Sequence, residues 1–541
     1  MRKKPAATVG SLIAVLGLVA CGGSSKSASG AANLGNTSGI SKACQTSPVA
    51  GGSLVYARQN ETQGLNPLSA NNGNGDIFAD ELLYNGLVRS DPRGSQSLQP
   101  ALASSWTISP DGKTYVFHLR SGVKFSNGQP LTAQDVKFSL DRFGDPKTNQ
   151  LLANVAVGYK SSQVVDASTV QVNLSEPVAA FLYNISIFPA FIVPKNLVQS
   201  QGDAFFKHPV GTGPFVLKEF VAGSHITFTR NPQYWESGKP YLNEVRFNFA
   251  TDSNSRLLAL ENGQAQIADG VLFSQINAVR ARSNLVIQSS KAPLFIGMWL
   301  NHRRGPLADL DVRKAMQYAL DRSLINSSIF RGVGTTPNSV LMPLKYDAPA
   351  SAVAPYPFDL AKAKAAMAAS HYPQGFQTTL QYPAGYDYYK QLGLLMQNEY
   401  AALGIKLQLV EEPASNVTTR WSKSDYDLTF PFAQFTSDVV VPDEYVQFLA
   451  GDKSQGLQGF YSNWYDASIT KLVDKFITTT SETDRAAQWP VIQQQLMDQT
   501  PVVSVMNLPF VNAHQSNVCD TSVNALGADH LEDTWLGKAS S

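Results

Sequence analysis

The sequence predicts a mixed fold, α/β or α+β with several mixed sheets, on three observations. Short segments rich in β-branched and aromatic residues, such as Leu54–Ala57, Glu244–Phe249 and Lys406–Val410, alternate with segments of helical periodicity. Turn-forming residues separate them. The chain of 541 residues, 43% hydrophobic, can bury more than one core and should divide into two or three lobes.

Taken in order, Leu54-Val55-Tyr56-Ala57 is the first strand. Trp106–Ser109 and Thr114–Leu119 flank the turn Pro110-Asp111-Gly112-Lys113 and form a hairpin. Thr132-Ala133-Gln134-Asp135 starts a helix through Arg142, because a hydroxyl and a carboxylate at this spacing can each satisfy the other's backbone N–H. Val312, Ala315, Met316, Ala319 and Leu320 line one face of a helix that begins near Asp311, and Ala361–Ala369 and Tyr389–Leu403 form two more. Leu294–Leu300 is a further strand. Gly211-Thr212-Gly213-Pro214 lacks the lysine of a phosphate loop and is expected to be a turn leaving an interlobe strand. Internal repeats and sustained heptads are absent.

The N-terminus carries the sharpest local signal. Arg2, Lys3 and Lys4 precede an apolar run from Ala6 to Ala20, shorter than the ~20 residues of a bilayer span, as in an export signal. Leu18-Val19-Ala20-Cys21 resembles the lipobox of bacterial lipoproteins, which implies removal of the residues before Cys21 and lipidation of Cys21 as the new N-terminus; an ordinary secretory signal with a coincidental cysteine is the alternative. Residues 22–50, poor in anything to bury, read as a flexible linker. Cys44 and Cys519 are the two other cysteines. In an oxidising compartment such a pair is expected to bond, bringing the ends of the folded region together; two free thiols are the alternative.

The 43 basic residues nearly cancel the 42 acidic ones, so no net field gathers nucleic acid. The sequence contains no CxxC, HExxH, GxxxxGK[ST] or GxSxG pattern, and its seven histidines are scattered. Neither a cofactor, a metal site nor an enzyme is therefore expected.

An ordered series of motifs then carries a family resemblance. It begins with Leu65-Asn66-Pro67-Leu68, Leu83-Tyr84-Asn85-Gly86-Leu87-Val88, Pro100-Ala101-Leu102-Ala103-Ser104-Ser105-Trp106 and Asp111-Gly112-Lys113-Thr114-Tyr115. Leu119–Gly128 and Leu131–Leu140 follow, then Gly211–Phe215, Asn231–Trp235, Asp311–Ala315, Phe358–Ala363 and Leu403-Gly404-Ile405. In this order they resemble the family 5 extracellular solute-binding proteins, the peptide, nickel and opine group of ATP-driven transporters. The resemblance implies a two-lobed periplasmic-binding-protein-like fold (class II, cluster C type). Lobe I would comprise residues 51–75, 195–290 and 508–541, an inserted β-rich subdomain 76–194, and lobe II 291–507. It also implies a monomer outside the cytoplasm, held to the membrane by its lipid, that captures short peptides by hinge closure and passes them to ABC permease subunits with their cytoplasmic ATPases.

A peptide's charged amine entering a desolvated cleft needs a carboxylate. Asp438 sits where peptide binders of the family carry that acid, with Gln434, Phe435 and Thr436 just before it, and Phe435 falls where many members have Trp. Glu61 resembles a second family position, beside the peptide backbone. For both acids the alternative is a solvated loop residue. Trp421 and the cluster Tyr386, Tyr388, Tyr389 are candidate pocket walls, and Arg303 or Arg304 could meet a ligand carboxylate. Val439, Val441 and Phe432 depart from the family pattern. An oligosaccharide or nickel chelate as solute, a lipid-anchored hydrolase and a surface sensor are the rival readings.

Overall fold

The computed structural model describes residues 44, 47–69, 73–91, 97–148, 153–384, 386–431, 439–451, 461–523 and 530–537. Along the chain the strands are β1 (Ser53–Arg58), β2 (Val88–Ser90), β3 (Leu98–Pro100), β4 (Ala103–Ile108), β5 (Thr114–Leu119) and β6 (Tyr159–Asp166). Next come β7 (Thr169–Leu174), β8 (Phe215–Val221), β9 (His225–Arg230), β10 (Glu244–Phe249), β11 (Ile267–Ala268) and β12 (Leu285–Leu300). The last are β13 (Gln377–Pro383), β14 (Lys406–Glu412), β15 (Leu428–Thr429), β16 (Val502–Gln515), β17 (Val518–Cys519) and β18 (Trp535–Leu536).

Ten of them make one sheet in the order β14-β13-β15-β12-β16-β11-β1-β10-β9-β8. Strands β12 and β16 run antiparallel through its middle, from Leu285 opposite Gln515 to Trp299 opposite Val502, and join its two halves. Their ladder shifts register between Ser289 and Pro293, where Pro293 stands opposite Pro509. Neither proline has an N–H to give, so the connection is weakest there. The sequence pointed to a strand only over Leu294–Leu300; the observed strand begins at Leu285 and tolerates its proline at this irregularity.

Register also fixes direction. In the first half β1 pairs in parallel with β10 and β11, and β11 is antiparallel to β16, so β1, β10 and β11 run toward the crossing. In the second half β13, β14 and β15 are parallel and β15 is antiparallel to β12, so they approach the crossing from the other side. The carboxyl ends of both sets thus converge, the usual place for a ligand beside α/β sheets.

A separate antiparallel sheet, β4-β5-β7-β6, contains the expected hairpin. Helix Ala133–Gly144 packs beside it, with the capping box in place: Asp135 N donates to Thr132 Oγ1 (3.4 Å) and Thr132 N to the Asp135 carboxylate (3.0 Å). One apolar core unites this sheet with β1 and β10 through Leu54, Phe117, Val136, Phe143 and Phe247. Two others lie in the second half, around Met298, Leu320 and Tyr400 and around Trp299, Tyr445 and Trp489. The predicted face Val312, Ala315, Met316, Ala319 and Leu320 is buried there. Gly211 and Gly213 form a turn entering β8 rather than leaving an interlobe strand. Any side chain at either would collide with Leu83, whose carbonyl accepts from Gly213 N at 2.9 Å.

Cys44 and Cys519 are bonded, with Cα atoms 5.4 Å apart. Nearby, His530, Glu532 and Asp533 meet Arg89, Lys239 and Glu236 in a half-buried charge network: Arg89 reaches both glutamates at 2.7 Å and Lys239 reaches Asp533 at 2.5 Å. Among the described residues no helix is long and apolar enough to cross a membrane.

Candidate functional site

At the carboxyl end of β1, Arg58 pairs with Asp269 just beyond β11 (2.7 Å) and lies over the Phe78 ring, 4.0 Å from its centroid. Gln59 N donates to the other Asp269 oxygen at 2.7 Å, and Arg256 approaches the same carboxylate at 3.7 Å. The following loop is held by Asp76, in the first turn of helix Asn74–Leu83, which accepts from Gln63 N (2.6 Å) and Gly64 N (3.0 Å). An acid suits that position because it faces the positive end of the helix dipole. Glu61 is half-buried on this loop, and its carboxylate accepts from Gly223 N in the β8–β9 turn at 2.5 Å.

Across the crossing, β13 leads into helix Asp387–Ala401, where Tyr389 stacks on Phe430 with centroids 4.7 Å apart. Tyr388 packs against Phe330 (5.8 Å) and against Phe273 of the first half (6.4 Å). Tyr388 and Tyr389 are thus buried core residues, while Tyr386 is half-buried. Burial pushes the Tyr386 phenol above its ordinary value, with Arg256 pulling the other way across the gap. Gln434, Phe435, Thr436 and Asp438, with Phe432, lie outside the described residues. The chain resumes at Val439, Val440 and Val441, which are buried in the core of the first half.

Trp421 and Arg303 stand apart from Glu61. Trp421 is 3% exposed and packs edge-on against Trp299 (6.1 Å) and Tyr461 (4.7 Å). Trp299 is six residues past Pro293, roughly 20 Å along an extended strand. Helix Ala414–Ser422 starts at the carboxyl end of β14 and runs away from the crossing, which carries Trp421 off. Arg303 is exposed beyond the end of β12, and its neighbour Arg304 pairs with Asp427 at 3.2 Å. Trp421, the candidate pocket wall, is thus buried among aromatic residues, and Arg303, a candidate for a ligand carboxylate, is exposed.

One lysine escaped the sequence reading. Lys345 N donates to the Val440 carbonyl (3.1 Å), and its ammonium reaches Tyr183 Oη (3.1 Å) and Glu482 (3.0 Å). Burial alone would depress its pKa; the bonds to Tyr183 and Glu482 outweigh that and hold it above the ordinary lysine value. No local pattern marks such a residue.

Among the described residues, His530, Glu532 and Asp533 are the one group close enough to share a metal ion. Lys239 and Arg89 already occupy the carboxylates, so the donor set fits a salt-bridge network better than a cation site.

Comparison with known proteins completes the picture. The sequence is 27% identical over 463 residues to the glutathione-binding protein GsiB of Shigella flexneri, covering 84% of this chain and 88% of that one. It is 26% identical over 513 residues to di/tripeptide-binding protein 1 of Pseudomonas aeruginosa, covering 90% and 94%. The fold matches the ABC transporter-associated periplasmic binding protein DppA of Helicobacter pylori, solved with the peptide STSA, at a TM-score of 0.79 and 24% identity over 91% of this chain and 99% of that one. The profile of the bacterial extracellular solute-binding proteins, family 5, matches residues 97–456, and the chain belongs to that family.

Proposed function

We propose that this protein captures short peptides in the cleft beside the β12–β16 crossing and delivers them to an ABC permease. The observation that carries the reading is the convergence of parallel-strand carboxyl ends from both halves on a connection made by two strands with facing prolines. Such a connection can bend, and closure then depends on contacts a solute makes with both sides. The peptide assignment draws on the relatives named for glutathione and for di- and tripeptides.

In this reading lobe I is formed by residues 51–75, 195–290 and 508–541, with residues 76–194 inserted, and lobe II by 291–507. Asp438 meets the peptide amine, with Gln434, Phe435 and Thr436 beside it, and Glu61 braces the loop over the backbone. Main-chain hydrogen bonds would supply affinity without reading side chains, so specificity is broad. Cys21 carries the lipid, residues 22–50 form the tether, and the protein works as a monomer.

Native mass spectrometry of the mature chain, followed by denaturing release, tests this. A ladder of short peptides that disappears in Asp438→Ala is the expected result. A sugar or a metal chelate in their place would overturn the ligand while leaving the transport role.

A further inference from the structure

We propose that Lys345 is a positioning residue for solute capture: its ammonium clasps the second lobe to Tyr183 of the inserted subdomain and sets how long the cleft stays closed, without touching the solute. The proposal rests on the two-lobe reading above.

Lys345 is anchored on its own side. Leu344 and Ala348 around it are buried in the core of Trp299 and Trp489, and Lys345 N is tied to Val440. Its ammonium meets Glu482, which begins helix Glu482–Gln499 and also accepts from Tyr346 Oη at 2.5 Å. The third partner belongs to a different body. Tyr183 lies in the short helix Phe181–Asn184, packed in the core of the four-stranded sheet, and the ammonium sits 5.4 Å from its ring centroid as well as 3.1 Å from its hydroxyl.

The surroundings mix polar and apolar contacts. Ala179 N donates to the Ile477 carbonyl at 3.0 Å, again subdomain to lobe II. The hairpin turn at Gly112 abuts Thr480, whose methyl would lie 3.0 Å from a side chain placed there. Val439–Val441 are buried in the apolar core to which this subdomain contributes, so that part of the contact is the costly one to open. When the lobes separate, water can satisfy the lysine, the tyrosine hydroxyl and the two backbone groups, and Glu482 keeps the ammonium oriented for the next closure. A charged hydrogen bond of this kind shifts an equilibrium by roughly ten-fold.

The test is single-molecule energy transfer in the full chain, between fluorophores attached through genetically encoded ketone residues at Ser168 and Lys471, both exposed. Without added solute, Lys345→Met and Tyr183→Phe should each lower the closed-to-open ratio about ten-fold, and the double variant should add little. With trialanine as probe, the dissociation rate should rise about ten-fold at an unchanged association rate. Tyr183→Phe keeps the ring in its core, so it reports even if the lysine variant folds poorly. An unchanged closed fraction in the two single variants would overturn the clasp. If trialanine does not bind the unaltered protein, the peptide reading fails, while the solute-free populations still decide the role of Lys345.

Discussion

Near the crossing, Phe273 of the first half meets Phe330 and Tyr388 of the second, with ring centroids 5.2 and 6.4 Å apart. Where the second half meets the four-stranded sheet, by contrast, Lys345 meets Tyr183 through one ammonium and Ala179 meets Ile477 through one backbone hydrogen bond, with the buried Val439–Val441 as the apolar part. The difference follows from mechanics. Groups close to a hinge move little, so an aromatic contact there can persist through the cycle and keep its apolar surface from water. Groups far from it must separate at each opening, and polar partners separate at lower cost because water replaces them.

Four measurements would break or sharpen that contrast. The largest effect is expected behind the Lys345 contact, where Arg485 grips Asp443 with both nitrogens (3.2 and 2.5 Å), two residues beyond Val441. Burial would lower the Arg485 pKa, but Asp443 raises it above the ordinary value, while burial raises that of the Asp443 carboxyl against the pull of Arg485. Arg485→Leu strands a buried carboxylate and should cost about 3–5 kcal/mol in urea unfolding. A loss below ~1 kcal/mol would mean that the segment after Val441 is held by something else.

A pH series addresses a third place, the His530 network, which belongs to neither of the two contacts. Burial would lower the His530 pKa, but Glu532 and Asp533 raise it to about 9. A histidine raised in the folded state contributes stability that is complete below its unfolded pKa of ~6.5 and is lost as pH climbs through about 9. The shift corresponds to about 3 kcal/mol. Amide protection in residues 530–537, taken relative to the intrinsic exchange rate at each pH, should therefore be highest at mildly acidic pH and fall through that window. Protection that instead grows with pH would reverse the sign and exclude His530 as the cause.

Smaller changes separate the two contacts themselves. Phe273→Ala should cost about 2 kcal/mol of global stability, since the ring is half-buried and packs on both halves. An open protein of unaltered stability would show that the aromatic contact parts during the cycle. Tyr346→Phe removes one hydrogen bond to Glu482 and should cost about 1 kcal/mol in the same unfolding assay. A cost well above that would assign to Tyr346 the orienting role given to Glu482.

What could be read from the sequence was what depends on near neighbours. The hairpin at Asp111-Gly112, the Thr132–Asp135 box and the helix face from Val312 to Leu320 all follow from spacing within a few residues. Strand β12 was half visible, because a proline inside a strand is tolerated only where its partner also shifts, and that partner is Pro509. Residue type alone nominated Trp421 and Arg303; that the first is buried and the second exposed depends on contacts far along the chain. Glu61 was found by motif, but its bond to Gly223 spans 162 positions. Lys345 had no local signature, since Tyr183 and Glu482 come to it from opposite directions along the chain.

The position of β16 has a consequence for biogenesis. It is the last long strand to be synthesised, yet it lies in the middle of the large sheet between β11 and β12. Until residues 502–515 emerge, β11 and β12 each present an unpaired edge to any other extended chain nearby. A chain that emerges N-terminus first therefore has two unfinished half-sheets, exposed to aggregation, until that strand follows. Its arrival between β11 and β12 closes both edges at once.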